Sequence, residues 1–243
     1  MATGAPDYFK RILLYGLHHG EATPLACNSA GWLLAAVEEL VDTLFYDDFE
    51  ADLTRWLTGG SGTGHAATID TTRSRSGALS CKLVPGSTSG YQSYIYHAEP
   101  LQDNQRWGFE FYWYTEDVPE KVLIYIDYRD GSQHYEFFFR WLSSDQSLWI
   151  TDSGGAWVQV GTNAGVSDIW YTWNRMKLVL DFSLKSYVRA IFNEQTIDLS
   201  SYSVAASGAA SDKAVNFEII NEHNDASQPV IYVDDCRITI DEP

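Results

Sequence analysis

Phe45-Tyr-Asp-Asp-Phe-Glu50, with Trp56 behind it, and Val230-Ile-Tyr-Val-Asp-Asp-Cys-Arg-Ile238 near the other end of the chain decide the fold. Both alternate apolar and polar residues, the mark of a strand with one buried face. They read as the first and last strands of one β-sandwich, expected to lie side by side. Each brings an acidic pair, Asp47/Asp48 and Asp234/Asp235, so the carboxylates are expected to meet. Hard oxygen ligands suit Ca²⁺, and burying several carboxylates together without a cation is costly. A structural Ca²⁺ on Asp47, Asp48, Asp234 and Asp235 is therefore the expected cofactor. The alternative is that these side chains face solvent and make turn hydrogen bonds.

Between these ends, turn signals separate short strand-like runs at intervals of about ten residues, as an all-β sandwich requires. The runs fall at 78–84, 90–97, 106–114, 122–128, 133–142, 148–151, 157–160, 173–181, 187–192, 215–221 and 230–240. Arg129-Asp-Gly-Ser132 reads as a turn. The Gly-rich residues 59–64 and the Ser/Ala/Gly-rich residues 200–211 read as loops. Helical periodicity is scarce and no internal repeat occurs.

The 243 residues carry 33 acidic against 16 basic side chains, a net charge of −17. Phosphate binding rests on Lys and Arg, so nucleic acid and anionic membrane are excluded as partners. Cys27, Cys81 and Cys236 have no metal-type spacing, and their odd number argues against a disulfide framework; they read as small buried hydrophobes. The apolar run at 12–15 is too short for a signal-peptide core, and no stretch reaches the roughly 20 apolar residues of a membrane span. Synthesis in a cytoplasm without secretion is the expectation.

Residues 1–44 differ from the rest. Short strands at 12–15 and 24–27 flank Gly16-Leu-His-His-Gly20, and a turn at 28–31 leads into Trp32-Leu-Leu-Ala-Ala-Val37. An isolated hairpin is marginal in water, so this arm needs a partner, either the sandwich at 45–243 or another chain.

Trp170-Tyr-Thr-Trp-Asn-Arg-Met-Lys-Leu-Val-Leu-Asp-Phe-Ser followed by Tyr187-Val-Arg-Ala-Ile-Phe-Asn193, together with the two end segments and Leu79-Ser-Cys-Lys-Leu83, resembles the concanavalin A-like lectin/glucanase sandwiches over roughly residues 45–240. The end segments are also similar to those of calcium-containing carbohydrate-binding modules. The resemblance implies a jelly roll serving glycan binding, hydrolysis or a structural role, and fold does not choose among them. The arm, Ile12-Leu-Leu-Tyr-Gly16 with Thr23-Pro-Leu-Ala-Cys-Asn-Ser-Ala-Gly31-Trp-Leu-Leu, is similar to the start of tailed-phage virion proteins. That resemblance implies a non-enzymatic structural component of a virion, capsid-decorating, fibre or tail-associated. Residues 1–44 would dock on a major virion protein and copies would assemble as a homo-oligomer, burying Leu13, Trp32, Leu33 and Leu34. The alternative is a glycan-binding module with a structural calcium ion, recognising a cell-surface glycan.

A retaining glycosidase needs two carboxylates about 5 Å apart, and no Glu-x-Asp-x-x-Glu segment supplies them. Glu218 and Glu222 share a strand face but stand about 13 Å apart at roughly 3.3 Å per residue. Aromatic side chains, including nine Trp, are the stronger signal. Alternation puts Tyr135, Phe137, Phe139 and Trp141 on one face, read as core. Tyr125, Asp127, Glu136 and Arg140 fall on the other and are the expected glycan-binding set, with Trp149, Trp157 and Trp170 as loop-borne alternatives. His18, His19 and His223 are weak metal candidates.

Overall fold

In a computed structural model the described residues are 15–18, 21–24, 42–87, 90–101, 106–117, 119–162, 169–223 and 228–243. All regular elements among them are β-strands, numbered here in chain order, and none is a helix that could cross a membrane. The chain divides into two compact units, Met1–Val41 and Asp42–Pro243. In the first, β1 (Tyr15–His18) pairs antiparallel with β2 (Glu21–Pro24), His18 opposite Glu21. The strands were expected at 12–15 and 24–27. The pairing instead runs from Tyr15 opposite Pro24 to His18 opposite Glu21. Leu13, Trp32, Leu33, Leu34, Cys27 and the expected turn at 28–31 lie outside the described residues.

The second unit is a sandwich of two antiparallel sheets. The first is ordered β15 (Gln195–Asp198), β14 (Ser186–Phe192), β13 (Asn174–Asp181), β8 (Arg106–Thr115), β18 (Ile231–Ile240), β6 (Ser80–Val84), β5 (Ala66–Asp70), with β3 (Asp42–Asp47) also on β18. The second is ordered β12 (Trp157–Thr162), β11 (Ser147–Thr151), β10 (Gln133–Leu142), β9 (Lys121–Asp130), β17 (Lys213–His223), β7 (Tyr91–Pro100), β4 (Leu57–Gly60), with β16 (Ala206–Ala209) also on β10.

The first and last strands of the sandwich are neighbours, as their sequences require. In the β3–β18 pair Phe45 stands opposite Ile238 and Asp47 opposite Cys236. β18 changes partner along one edge, from β6 at residues 231–233 to β3 at 236–240. At the change its register against β8 shifts between Asp234 and Arg237, and Asp235 takes φ 48°. Left-handed backbone is a conformation Asp tolerates better than most residues.

Alternation builds the core. Trp107, Phe109, Phe111 and Trp113 of β8 face Phe137, Phe139 and Trp141 of β10, all with no exposure, and Trp113 meets Trp141 at 5.3 Å between ring centroids. Removing such large side chains from water stabilises the fold by roughly 1.5–3 kcal/mol each. Cys81 and Cys236 are buried here, as expected of small hydrophobes.

Two regions read as loops contain strands. β4 occupies the start of the Gly-rich 59–64 segment, where a Cβ on Gly59 would stand 2.4 Å from the Tyr94 ring. β16, within 200–211, pairs with the start of β10. Glycine and alanine hide such strands from a reading based on β propensity, because a small side chain serves close approach to a neighbour.

The outer face of the first sheet is closed by its own charges. Lys177 lies 2.5 Å from Glu242 and 3.8 Å from Glu110, Arg189 lies 2.8 Å from Glu242, and Arg175 forks onto both Glu110 oxygens at 3.0 Å. Glu110, Lys177 and Glu242 are buried. The outer face of the second sheet is built differently.

Candidate functional site

Register across the second sheet lines up outward side chains in rows. One row reads Leu57, Tyr96, Glu218, Tyr125, Phe138 across five strands. At about 4.8 Å per strand it spans roughly 19 Å. On one side of it stand Asn216, Asp127 and Glu136; on the other Ile220, Leu123, Arg140, Trp149 and Gln159.

The four residues singled out by alternation, Tyr125, Asp127, Glu136 and Arg140, therefore share this face, each half-buried. Tyr125 donates a 2.8 Å hydrogen bond to Glu136 and stacks on Phe138 at 4.7 Å between centroids. Asp127 stands opposite Glu136 and within 3.4 Å of Arg129. The Arg140 guanidinium lies 3.5 Å above the Trp157 ring and 5.4 Å from Trp149. Such contacts contribute about 0.5–2 kcal/mol depending on solvation. Trp149 and Trp157, named as loop-borne contacts although within the strand-like runs at 148–151 and 157–160, sit on β11 and β12 and join this face. Trp170 packs edge-on against Trp141, at 5.9 Å.

Glu218, weighed in the sequence only as a pair with Glu222, is a further member of this face. It lies opposite both Tyr96 and Tyr125. Burial, reinforced by the Asp127 charge, pushes its pKa up to about 7, and burial also raises Asp127. A carboxyl poised near neutrality suits proton transfer. Its strand period was legible, but its two neighbours were not, because sequence order does not give strand order.

The row ends in a pocket. On the edge of β10 facing away from β9, β16 pairs residues 133–135 and β11 pairs 139–142, which leaves a gap at 136–138. Tyr187, reaching across from β14, fills the bottom of the gap. Its hydroxyl accepts from the Phe138 N–H at 3.1 Å and lies 3.2 Å from Thr151 Oγ1. Above it opens a cavity of about 340 Å³, lined by Glu136 and Phe138 on the sheet side and walled by Thr151–Gly155 and Val204–Ser207.

The β3–β18 pairing sets Asp47 opposite Cys236, next to Asp235 in the chain, and each of the four carboxylates meets protein donors. Asp47 accepts from the Phe49 N–H at 2.9 Å and the Trp56 indole N–H at 3.1 Å. Asp48 caps the Glu50 N–H at 3.3 Å. Asp234 accepts from the backbone N–H groups of Arg75, Ser76 and Asp235. Asp235 accepts from Tyr46 at 2.6 Å, from Ser76 at 2.8 Å and from the Arg75 guanidinium. The cations beside these carboxylates are thus Arg75, itself 3.5 Å over the Tyr112 ring, and Arg55, 3.7 Å from Asp47. Among the described residues no group of three or more His, Cys, Asp or Glu side chains is placed to hold a metal ion. This donor set does not fit a Ca²⁺ centre, because amide, hydroxyl and guanidinium donors occupy the oxygens an ion would need. His223 is buried with Nε2 at the Gly86 carbonyl, and His19 lies outside the described residues.

The protein is thus a two-sheet antiparallel jelly-roll sandwich with an aromatic and acidic outer face on its second sheet. No protein-family model and no curated protein matches the chain. Among solved structures it is similar to the endo-β-1,4-glucuronan lyase of the fungus Trichoderma reesei, at 15% identity and a TM-score of 0.57, over 82% of this chain and 95% of that one. It is also similar to a carbohydrate esterase of the Shiga toxin-encoding bacteriophage phi24B, at 11% identity and a TM-score of 0.55, over 83% of this chain and the whole of that one. A sialidase matches at 9% identity and a TM-score of 0.51, with 82% of this chain covering 18% of that one. These likenesses are of fold. They correct the expectation of a non-enzymatic chain: that expectation rested on a missing hydrolase motif and on the arm's resemblance to virion proteins, and enzymes are among the structures that share this sandwich. Elimination and ester cleavage do not need the paired carboxylates of a glycosidase.

Proposed function

We propose that the outer face of the second sheet binds a glycan chain. The observation that carries this reading is the row Tyr96, Glu218, Tyr125, Phe138 leading into a cavity beside Glu136. Ligand sites combine aromatic surface with a few placed polar groups, and carboxylates accept hydrogen bonds from the hydroxyls that cover a sugar. The lyase and the esterase of this fold act on carbohydrate by name, which supports the reading and makes turnover a question to ask alongside binding. The test is a titration of the protein with β-1,4-glucan, β-1,4-galactan, xylan and polyglucuronate. Release of reducing ends is followed in the same samples. Phe138→Ala and Tyr125→Ala each remove a stacking surface worth about 1.5–3 kcal/mol, roughly ten- to hundredfold in affinity. Undiminished binding in both variants overturns this placement of the site.

We further propose display on a phage particle, with residues 1–44 attaching to a larger virion protein, copies of the chain grouped about a symmetry axis and the glycan on a cell surface. The pattern of residues 12–34 supports it, and a hairpin forms within it. Mass spectrometry of purified particles is the check, and absence of the chain from them refutes it.

A further inference from the structure

We infer that the pocket at the end of the aromatic row takes the terminal sugar of a glycan, so that the protein recognises chain ends and not chain interiors; this rests on the glycan-binding reading above. The row runs across β4, β7, β17, β9 and β10 in register and stops where β10 loses its strand partner. A chain lying along Tyr96, Glu218 and Tyr125 reaches Phe138 and then meets two walls, Thr151–Gly155 and Val204–Ser207. The walls are held in place. Asp152 accepts the N–H groups of Gly154 and Ala156 at 2.8 and 3.0 Å, and β16 is hydrogen-bonded to β10 directly behind Ala206.

The cavity, about 340 Å³, lies at the small end of the roughly 300–1,000 Å³ range of ligand pockets. The chemistry of its lining also selects. Glu136 and Asp152 contribute carboxylates, and Ser153 and Ser207 hydroxyls, while Asp127 and Glu218 lie in the adjoining rows. Such a lining pairs with hydroxyls and repels a uronate carboxylate. The ligand class is therefore the neutral, hydroxyl-rich end of a glycan.

The test compares intact β-1,4-glucan, β-1,4-galactan, xylan and polyglucuronate with fragments of the same polymers cut about tenfold in mean length, measuring moles of protein bound per gram. Molar ends per gram rise about tenfold on cutting, so an end-binding pocket that buries its ligand shows a rise of that order on a neutral polymer. Capacity per gram that stays constant on cutting overturns end recognition and leaves glycan binding standing. No binding to any of the four removes both. Ala205→Trp, a substitution at an exposed wall position, fills the cavity without touching the core. It is expected to abolish the gain on cutting, with the thermal unfolding midpoint unchanged. A variant that keeps the full gain refutes the pocket as the terminal subsite.

Discussion

Tyr187→Phe isolates the one hydroxyl that lets the second sheet carry a gap. The tyrosine is 1% exposed, its ring packs edge-on against Phe137 at 5.3 Å, and its oxygen accepts the Phe138 N–H at 3.1 Å in place of a neighbouring strand. Phenylalanine keeps the ring and its packing but leaves that N–H buried without an acceptor, at a cost of about 1–3 kcal/mol. At about 2–4 °C per kcal/mol for a domain of this size, the melting temperature is expected to fall by about 2–12 °C. Urea unfolding measures the free energy, and amide hydrogen exchange reads the site directly, with the Phe138 amide expected to exchange faster while the core amides of β8 keep their order. A melting temperature within about 1 °C of the parent, with Phe138 exchange unchanged, refutes the reasoning that Tyr187 supplies the missing strand's hydrogen bond.

The pH dependence follows from Glu218, raised to about 7, and Asp234, raised by burial to about 6. A carboxyl with a raised folded-state pKa contributes stability that is fully present below its unfolded value near 4 and lost as pH rises through its folded value. Thermal stability is therefore expected to rise from pH 8 to about pH 5, and Glu218→Gln to flatten the upper part of that rise. Below that range the order reverses, because Asp235 is lowered by Tyr46, Ser76 and Arg75, and Asp130 is lowered to about 2 by the Gln133 and Ser132 amides. At the acidic corner, Asp235→Ala is expected to cost about 1.5–3 kcal/mol in urea unfolding by removing the charged acceptor of the Tyr46, Ser76 and Arg75 hydrogen bonds. EDTA is expected to leave the melting temperature where it is; a fall on chelation would restore a calcium ion at Asp47, Asp48, Asp234 and Asp235.

Periodicity within single strands was legible without a structure. Phe137, Phe139 and Trp141 could be assigned to the core, and Tyr125, Asp127, Glu136 and Arg140 to the opposite face, because side chains alternate with a period of two and that period is set by backbone geometry alone. The end segments could be paired because both carry the same apolar alternation and a sandwich must bury both. Glu218 was visible as a carboxylate on a strand and invisible as a neighbour of Tyr125, since β17 comes to lie between β9 and β7 from far along the chain. Trp149 and Trp157 fell within runs legible as strands, 148–151 and 157–160, but nothing in those runs showed that they would flank Arg140. The fate of the acidic pairs turned on Arg75, a loop residue whose guanidinium reaches Asp235 only after β18 bends. The pocket depended on tertiary structure most of all: it exists because β16 and β11 divide one edge of β10 between them and a tyrosine from the other sheet fills the space left over. Sequence alone determined which face each side chain takes, a property of local covalent geometry. Which faces and which strands become neighbours is settled by long-range packing, and only the folded chain decides it.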